Sequence, residues 1–300
     1  MANLKDIRTR IGTVKKTKQI TSAMKLVAGA KLKRATDRAV AARPYREQLE
    51  GVLRRVASAA GEELDEPLLQ SRSEVRRIMV VVLTSDRGLC GGFNNNLLRK
   101  SVQWLKEHRA NGVEPGLRVF GRKGDTLLRK SNFEMMEKSV VDYSNQPKME
   151  LVAPLTSQMV SAFVDGEVDE VYLVYNRFVS ALTQVPTFER VLPLSVATGE
   201  AAEGADEAPE MDGDTPLDYR YEPGADELLG ALLPLYLQTL VLSAFLETEA
   251  GEHAARMTAM DSATRNASDL IDDLSLEYNR ARQAAITTEI IEIVSGAAAL

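Results

Sequence analysis

About seventy consecutive residues, from Asp226 to about Ser295, keep a helical spacing of apolar positions. At 1.5 Å per residue such a helix spans on the order of 100 Å, far more than a compact domain needs. A helix of that length has to be sheathed along its course, and the other end of the chain offers a partner. Residues 3 to about 58 also read as one long helix, in which Leu4, Ile7, Ile11 and Val14 follow the alternating three- and four-residue steps of a coiled-coil seam. A strict heptad then meets Lys18, Thr21 and Lys25 and turns polar, whereas a straight helix would bring Ile20, Met24 and Val27 to one side instead. Farther on, Ala28, Ala35, Ala39 and Ala42 form a small-residue stripe that allows close approach of a second helix, and Pro44 predicts a kink or a change of direction.

Between these helices the period changes. The β-branched run Arg77 to Asp86, "RIMVVVLTSD", ends in turn residues, and "LRVFG", "SVVDY" and "EVYLVYNRF" are of the same type. The intervening "NNNLLRKSVQWLKEHRA" and "PLTSQMVSAFVDG" have helical spacing, so a Rossmann-like βαβ domain is expected over 75–195. A stretch dense in acid follows, with eleven Asp/Glu against one Arg between Glu200 and Glu227, and it reads as a mobile loop. Asp226 is the expected cap of the last helix. Leu228 to Leu246 carries no charge, which by length alone flags a membrane span. Pro234, Tyr236, Gln238, Thr239 and Ser243 interrupt it and Glu247 and Glu249 follow, so a helix wrapped by protein on several sides is the expectation. The expected fold class is α/β plus a long antiparallel coiled coil: N-terminal shaft helix 1–60, central domain 75–195, acidic loop and foot segment 196–225, and C-terminal shaft helix 226–300. It is a rod with a knob.

Charge is unevenly placed. Residues 1–60 hold fifteen Lys/Arg and four Asp/Glu, a net +11, within a chain of net charge −6. That asymmetry suits nucleic acid or an acidic protein surface. The basic helix lacks interleaved aromatic or base-reading residues, and its stripe needs a protein partner, so nucleic acid is set aside. The start "MANLKDIRTR" has no apolar core of a secretory signal; its Arg-rich amphipathic character also fits a transit peptide, against which the long helical pattern speaks. One cysteine, Cys90, excludes an internal disulfide framework, and with only His108 and His253 beside it a Cys/His zinc site is implausible.

The most enzyme-like stretch is Thr84 to Asn94, "TSDRGLCGGFN": strand, glycine turn and helix start, the arrangement that cradles phosphate, with Arg87 to add charge. It contains no dinucleotide or P-loop fingerprint, and no motif links either histidine to Cys90 as a base. The plainer reading is a tight strand-to-helix corner, and "GRKGD" (Gly121 to Asp125) reads the same way. No catalytic constellation, cofactor site or metal cluster stands out.

Four segments carry a resemblance. "IRTRIGTVKKTKQITSAMKLVAGAKLKRA", "TSDRGLCGGFN", "DYRYEP" and the run from "EHAARMTAMDSATRN" to the closing "IVSGAAAL" closely resemble the gamma subunit of F-type ATP synthases, over nearly the whole chain and most weakly in the sheet domain. The resemblance implies a central shaft turning inside a ring of three alpha and three beta subunits, with the α/β domain standing on the c ring beside epsilon. Such a subunit binds no cofactor and meets the membrane only through its complex, here on the cytoplasmic face of a bacterial plasma membrane. By motif position, Met24, Lys25, Arg282, Gln283, Thr287 and Glu289 would face the ring, with Met24 alternatively a seam residue. Lys16, Lys18, Lys25, Lys31 and Lys33 would form a basic collar toward acidic beta loops. Tyr219, Tyr221 and Glu222 would meet the c ring and epsilon. Gly296, Ala297, Ala298, Ala299 and Leu300 would be a smooth bearing tip, where charge is costly to desolvate. Chloroplast relatives carry a cysteine pair near the acidic stretch; this chain has none there, which leaves that stretch as a spacer or as a latch against the basic shaft. Outside the family, the alternatives are a phosphate-binding enzyme acting through Ser85 to Gly92 and a free-standing coiled-coil adaptor.

Overall fold

The structure, a computed structural model, describes residues 4–60, 66–146, 148–195 and 224–298. Helix α1 (Leu4–Ala60) and helix α5 (Ala225–Ala298), of 57 and 74 residues, lie antiparallel against one another and form the rod. Cross-links fix the register: Lys18 Nζ donates to Ser268 Oγ at 2.9 Å, Thr264 Oγ1 to Thr21 Oγ1 at 2.8 Å, and Lys25 Nζ lies 2.6 Å from an Asp261 carboxylate oxygen. The end near Ala60 and Ala225 is called the foot here, and the opposite end the tip.

The strict heptad holds. From Leu4 to Val56, every position reached by alternating steps of three and four is buried or half-buried, including the polar Lys18, Thr21 and Lys25. Ile20 and Val27, at 60% and 57% exposed, face away from α5, so the straight-helix alternative is overturned and only Met24 of that trio is half-buried. The seam stays in register because α5 meets its polar stretch with polar groups instead of apolar ones. Helix α1 runs through Pro44 without a break. Helix α5 begins at Ala225, which places Asp226 inside the helix and not at its cap.

The knob is a five-stranded sheet: β1 (Arg77–Leu83), β2 (Glu114–Phe120), β3 (Glu134–Met135), β4 (Glu170–Phe178) and β5 (Gln184–Leu192), in the order β3-β2-β1-β4-β5. All pairs are parallel except β4 with β5. Crossovers carry α2 (Phe93–Ala110), α3 (Arg122–Leu128) and α4 (Lys148–Val164). Strand β1 sits in the centre, and its alternate residues serve two cores. Ile78, Val80 and Val82 join the α2 side, while Met79, Val81 and Leu83 join α4 and the rod. The expected "SVVDY" strand is absent; Val140 makes only an isolated bridge to Phe120, and the fifth strand is instead β5. "GRKGD" forms the corner between β2 and α3, with Arg122 and Lys123 exposed. Gly121, at φ 97°, turns the chain directly into α3, and a Cβ there would lie 2.3 Å from the Thr84 carbonyl oxygen.

The uncharged run of α5 is accounted for by this core. Leu229, Leu233, Leu237, Val241 and Phe245 recur at helical spacing and pack on Leu49, Leu53 and Val56 of α1 and on the sheet. The segment is apolar and long enough to pass for a membrane span, yet its stripe is buried by its own chain.

Candidate functional site

The glycine-rich corner after β1 acts as a brace. Thr84 Oγ1 donates to the Phe120 carbonyl at 2.8 Å and accepts from Gly124 N at 2.9 Å. Ser85 N donates to Asn94 Oδ1 at 3.0 Å, and Lys123 N to the Ser85 carbonyl at 3.1 Å. The buried Asp86 carboxylate accepts from Arg122 N, Asp142 N and Ser144 Oγ at 3.1, 2.8 and 2.6 Å. Within this stretch the Thr84, Ser85 and Phe93 N–H groups are bonded inside the fold, to the Phe120 carbonyl, Asn94 Oδ1 and the Cys90 carbonyl. Burial pushes the Cys90 thiol up, away from the thiolate a nucleophile needs, and its hydrogen-bonding neighbours are Asn94 and Ser85 instead of a histidine. His253 is held down to about 4, first by burial and then by Arg256, Lys31, Arg38 and Lys148 around it, so it is neutral at pH 7. Among the described residues no group of three or more His, Cys, Asp or Glu is placed to hold a metal ion.

The surface of the rod carries the other candidates, and they do not form one site. Lys16, Lys31 and Lys33 are exposed, whereas Lys18 and Lys25 are half-buried seam residues bonded to α5. Arg282, Gln283, Thr287 and Glu289 are exposed toward the tip, roughly 30 Å along α5 from Asp261, the partner of Lys25. The candidate contacts therefore make a path along the rod. Gly296, Ala297 and Ala298 close α5, with Ala297 exposed; Ala299 and Leu300 lie outside the described residues, as do Tyr219, Tyr221, Glu222 and the acidic stretch up to residue 223.

One feature of the tip stands apart. The seam of α5 continues through buried Ala267 and Leu274 and half-buried Tyr278 to half-buried Ala285, near the level of the first described turn of α1. Beyond it Ile286, Ile290, Ile291, Ile293 and Val294 are all exposed on roughly 20 Å of single helix. Ile20, Leu26 and Val27 add outward apolar groups on α1.

Sequence reasoning missed the junction of rod and knob. Glu247 accepts from Phe178 N at 3.2 Å, Arg256 donates to the Gly88 carbonyl at 3.2 Å and pairs with Glu252 at 2.7 Å, and Glu249 meets Arg38 and Lys148. The signal was available: charged residues that follow directly on a helix segment wrapped by protein must find partners.

Known proteins place the chain. The ATP synthase family model matches residues 3–300. The ATP synthase gamma chain of Brevibacillus brevis is 44% identical over 294 residues, 98% of this chain and 97% of that one. That of Moorella thermoacetica is 44% identical over 300 residues and the full length of both. Among solved structures, the central stalk and c-ring of Tetrahymena thermophila mitochondrial ATP synthase contains a chain 26% identical, at a TM-score of 0.58, covering 81% of this chain and 99% of that one. A chain of the Euglena gracilis mitochondrial ATP synthase shares the fold at a TM-score of 0.66 and 20% identity, covering 99% and 94%. With two long antiparallel helices carrying a mixed-sheet knob and a full-length family match, the chain belongs to the ATP synthase gamma chain family, the central-stalk subunit of that enzyme.

Proposed function

We propose that this chain is the rotor that couples ion flow through a c ring to ATP synthesis and hydrolysis on a ring of alpha and beta subunits, without catalysing a reaction itself. The observation that carries the reading is the tip: five exposed Ile and Val residues on one helix end make an apolar surface of the kind that another protein covers. A ring of alpha and beta subunits around the tip supplies that enclosure. Met24, Lys25, Arg282, Gln283, Thr287 and Glu289 would then face the ring at two levels, and Lys16, Lys31 and Lys33 would offer exposed cations to acidic loops. Such exposed pairs are worth about 0–1 kcal/mol each, weak enough to be made and broken at every step of rotation. Tyr219, Tyr221 and Glu222 would meet the c ring and epsilon at the foot. The knob, over 75–195, would stand on that ring, and the chain would sit at the cytoplasmic face of a bacterial plasma membrane through its complex alone.

A tagged chain recovered from gently extracted membranes should bring alpha and beta subunits with it as an active ATPase. Recovery with a soluble partner and no ATPase contradicts the reading and favours an adaptor. Calorimetry on the purified chain should show no nucleotide binding, since Thr84 to Asn94 carries neither a dinucleotide nor a P-loop fingerprint.

A further inference from the structure

Where the rod meets the knob, the buried face of α5 changes its chemistry. From Leu229 to Leu246 that face is apolar; over the next three turns it carries Glu247, Glu249, Glu252 and Arg256. Glu249 is central to the change. One carboxylate oxygen accepts from Arg38 Nη2 of α1 at 2.9 Å, and the other lies 3.6 Å from Lys148 Nζ at the start of α4. A single side chain thus ties both rod helices to the α/β domain. The Lys148 and Glu249 side chains are 8% and 14% exposed, and the Lys148 ammonium reaches the Tyr143 and Ser144 carbonyls only at 3.5 and 3.4 Å. Glu249 Oε2 has no hydrogen-bond partner, and the pair borders a cavity of about 260 Å³.

Burying such a pair is a poor route to stability, because apolar residues of similar size often serve as well or better. It does provide direction. Apolar packing is non-directional and lets one smooth face slide over another, whereas a hydrogen bond weakens steeply once its geometry is lost and a buried charge parted from its partner is costly. The neighbouring polar contacts act in the same sense: Glu247 holds Phe178 N of the knob, and Arg256 holds the Gly88 carbonyl. We propose that Lys148, Glu249 and Arg38 are positioning residues that fix the angle between the α/β domain and the rod, so that turning one turns the other without slip. The proposal deepens the rotor reading and rests on it.

The test uses the whole ATP synthase in vesicles, with its catalytic ring fixed and a probe attached to the knob through Lys106→Cys, on the exposed side of α2. Two quantities are read: the angular spread of the probe within each catalytic dwell, and protons pumped per ATP hydrolysed. Lys148→Met should widen the spread by about twofold and lower the pumping ratio with little change in hydrolysis rate, while Lys148→Arg should keep the parent values. Glu249→Gln, which keeps the side-chain shape and is the safeguard against a variant that fails to fold, should behave like Lys148→Met. An active complex whose spread is unchanged in Glu249→Gln, or in which Lys148→Met and Lys148→Arg behave alike, overturns the proposal. A parent chain that never enters the complex overturns the rotor reading, and this inference with it, before any variant is made.

Discussion

Helix α5 holds two apolar stretches that fare in opposite ways. Toward the foot, Leu229, Leu233, Leu237, Val241 and Phe245 are buried between α1, α4 and the sheet. Toward the tip, Ile286, Ile290, Ile291, Ile293 and Val294 are exposed, the most open of them at 71%. Side-chain type does not separate the two stretches; what covers them does. The foot stretch is completed by its own chain and so belongs to folding, whereas the tip stretch leaves its apolar groups open. The middle of the rod is intermediate, because its seam is made partly of polar pairs that hold register without adding much burial.

The contrast is broken most severely by Phe245→Ala. Phe245 is 1% exposed and meets Phe120 and Tyr143 edge-on at 5.1 and 5.7 Å. Its truncation should cost about 3–5 kcal/mol in urea unfolding of the purified chain. Gly121→Ala comes next, since the residue sits at φ 97° with a carbonyl oxygen where the new methyl must go; a loss of about 1–3 kcal/mol is expected, read as a lowered melting temperature.

The junction of rod and knob should also respond to pH. His253 is depressed from 6.5 to about 4, so between those values the unfolded chain binds a proton that the folded chain refuses. Its contribution to stability is full above 6.5 and is lost as pH falls toward 4, and His253→Gln should flatten that part of a stability–pH curve. In the middle of the rod, Lys25→Ala removes a half-exposed ion pair and should change stability by at most about 1 kcal/mol. At the tip, Ile290→Ala should leave the free chain within about 0.5 kcal/mol of the parent while weakening assembly, as judged by recovery of ATPase on the tagged chain. Lysine in place of Ala297 to Ala299 should impair assembly or coupling more than removal of Leu300 does.

Much of this architecture could be read directly from residues. The heptad of Leu4, Ile7, Ile11 and Val14 reports a pairing whose period survives Lys18, Thr21 and Lys25, because register is a property of the whole helix and not of its local hydrophobicity. Reading Ile20 and Val27 as a core face failed for the same reason: apolarity on a rod does not say which side has the partner. The "SVVDY" run has strand composition, but Asp142 there is left-handed at φ 59° and its N–H goes to Asp86, so a tertiary contact overrode the local preference. The charged joint at Glu249 was hidden because its partners, Arg38 and Lys148, lie 211 and 101 residues away by chain numbering and only the fold brings them together.

Amide hydrogen exchange along α5, compared between the purified chain and the assembled ATPase, tests the contrast most directly. The account predicts that amides from Leu229 to Leu246 exchange slowly in both states, while those from Ile286 to Ala298 exchange quickly in the free chain and become protected only on assembly. Tip amides that are equally protected in the free chain, or equally unprotected in the complex, would contradict it.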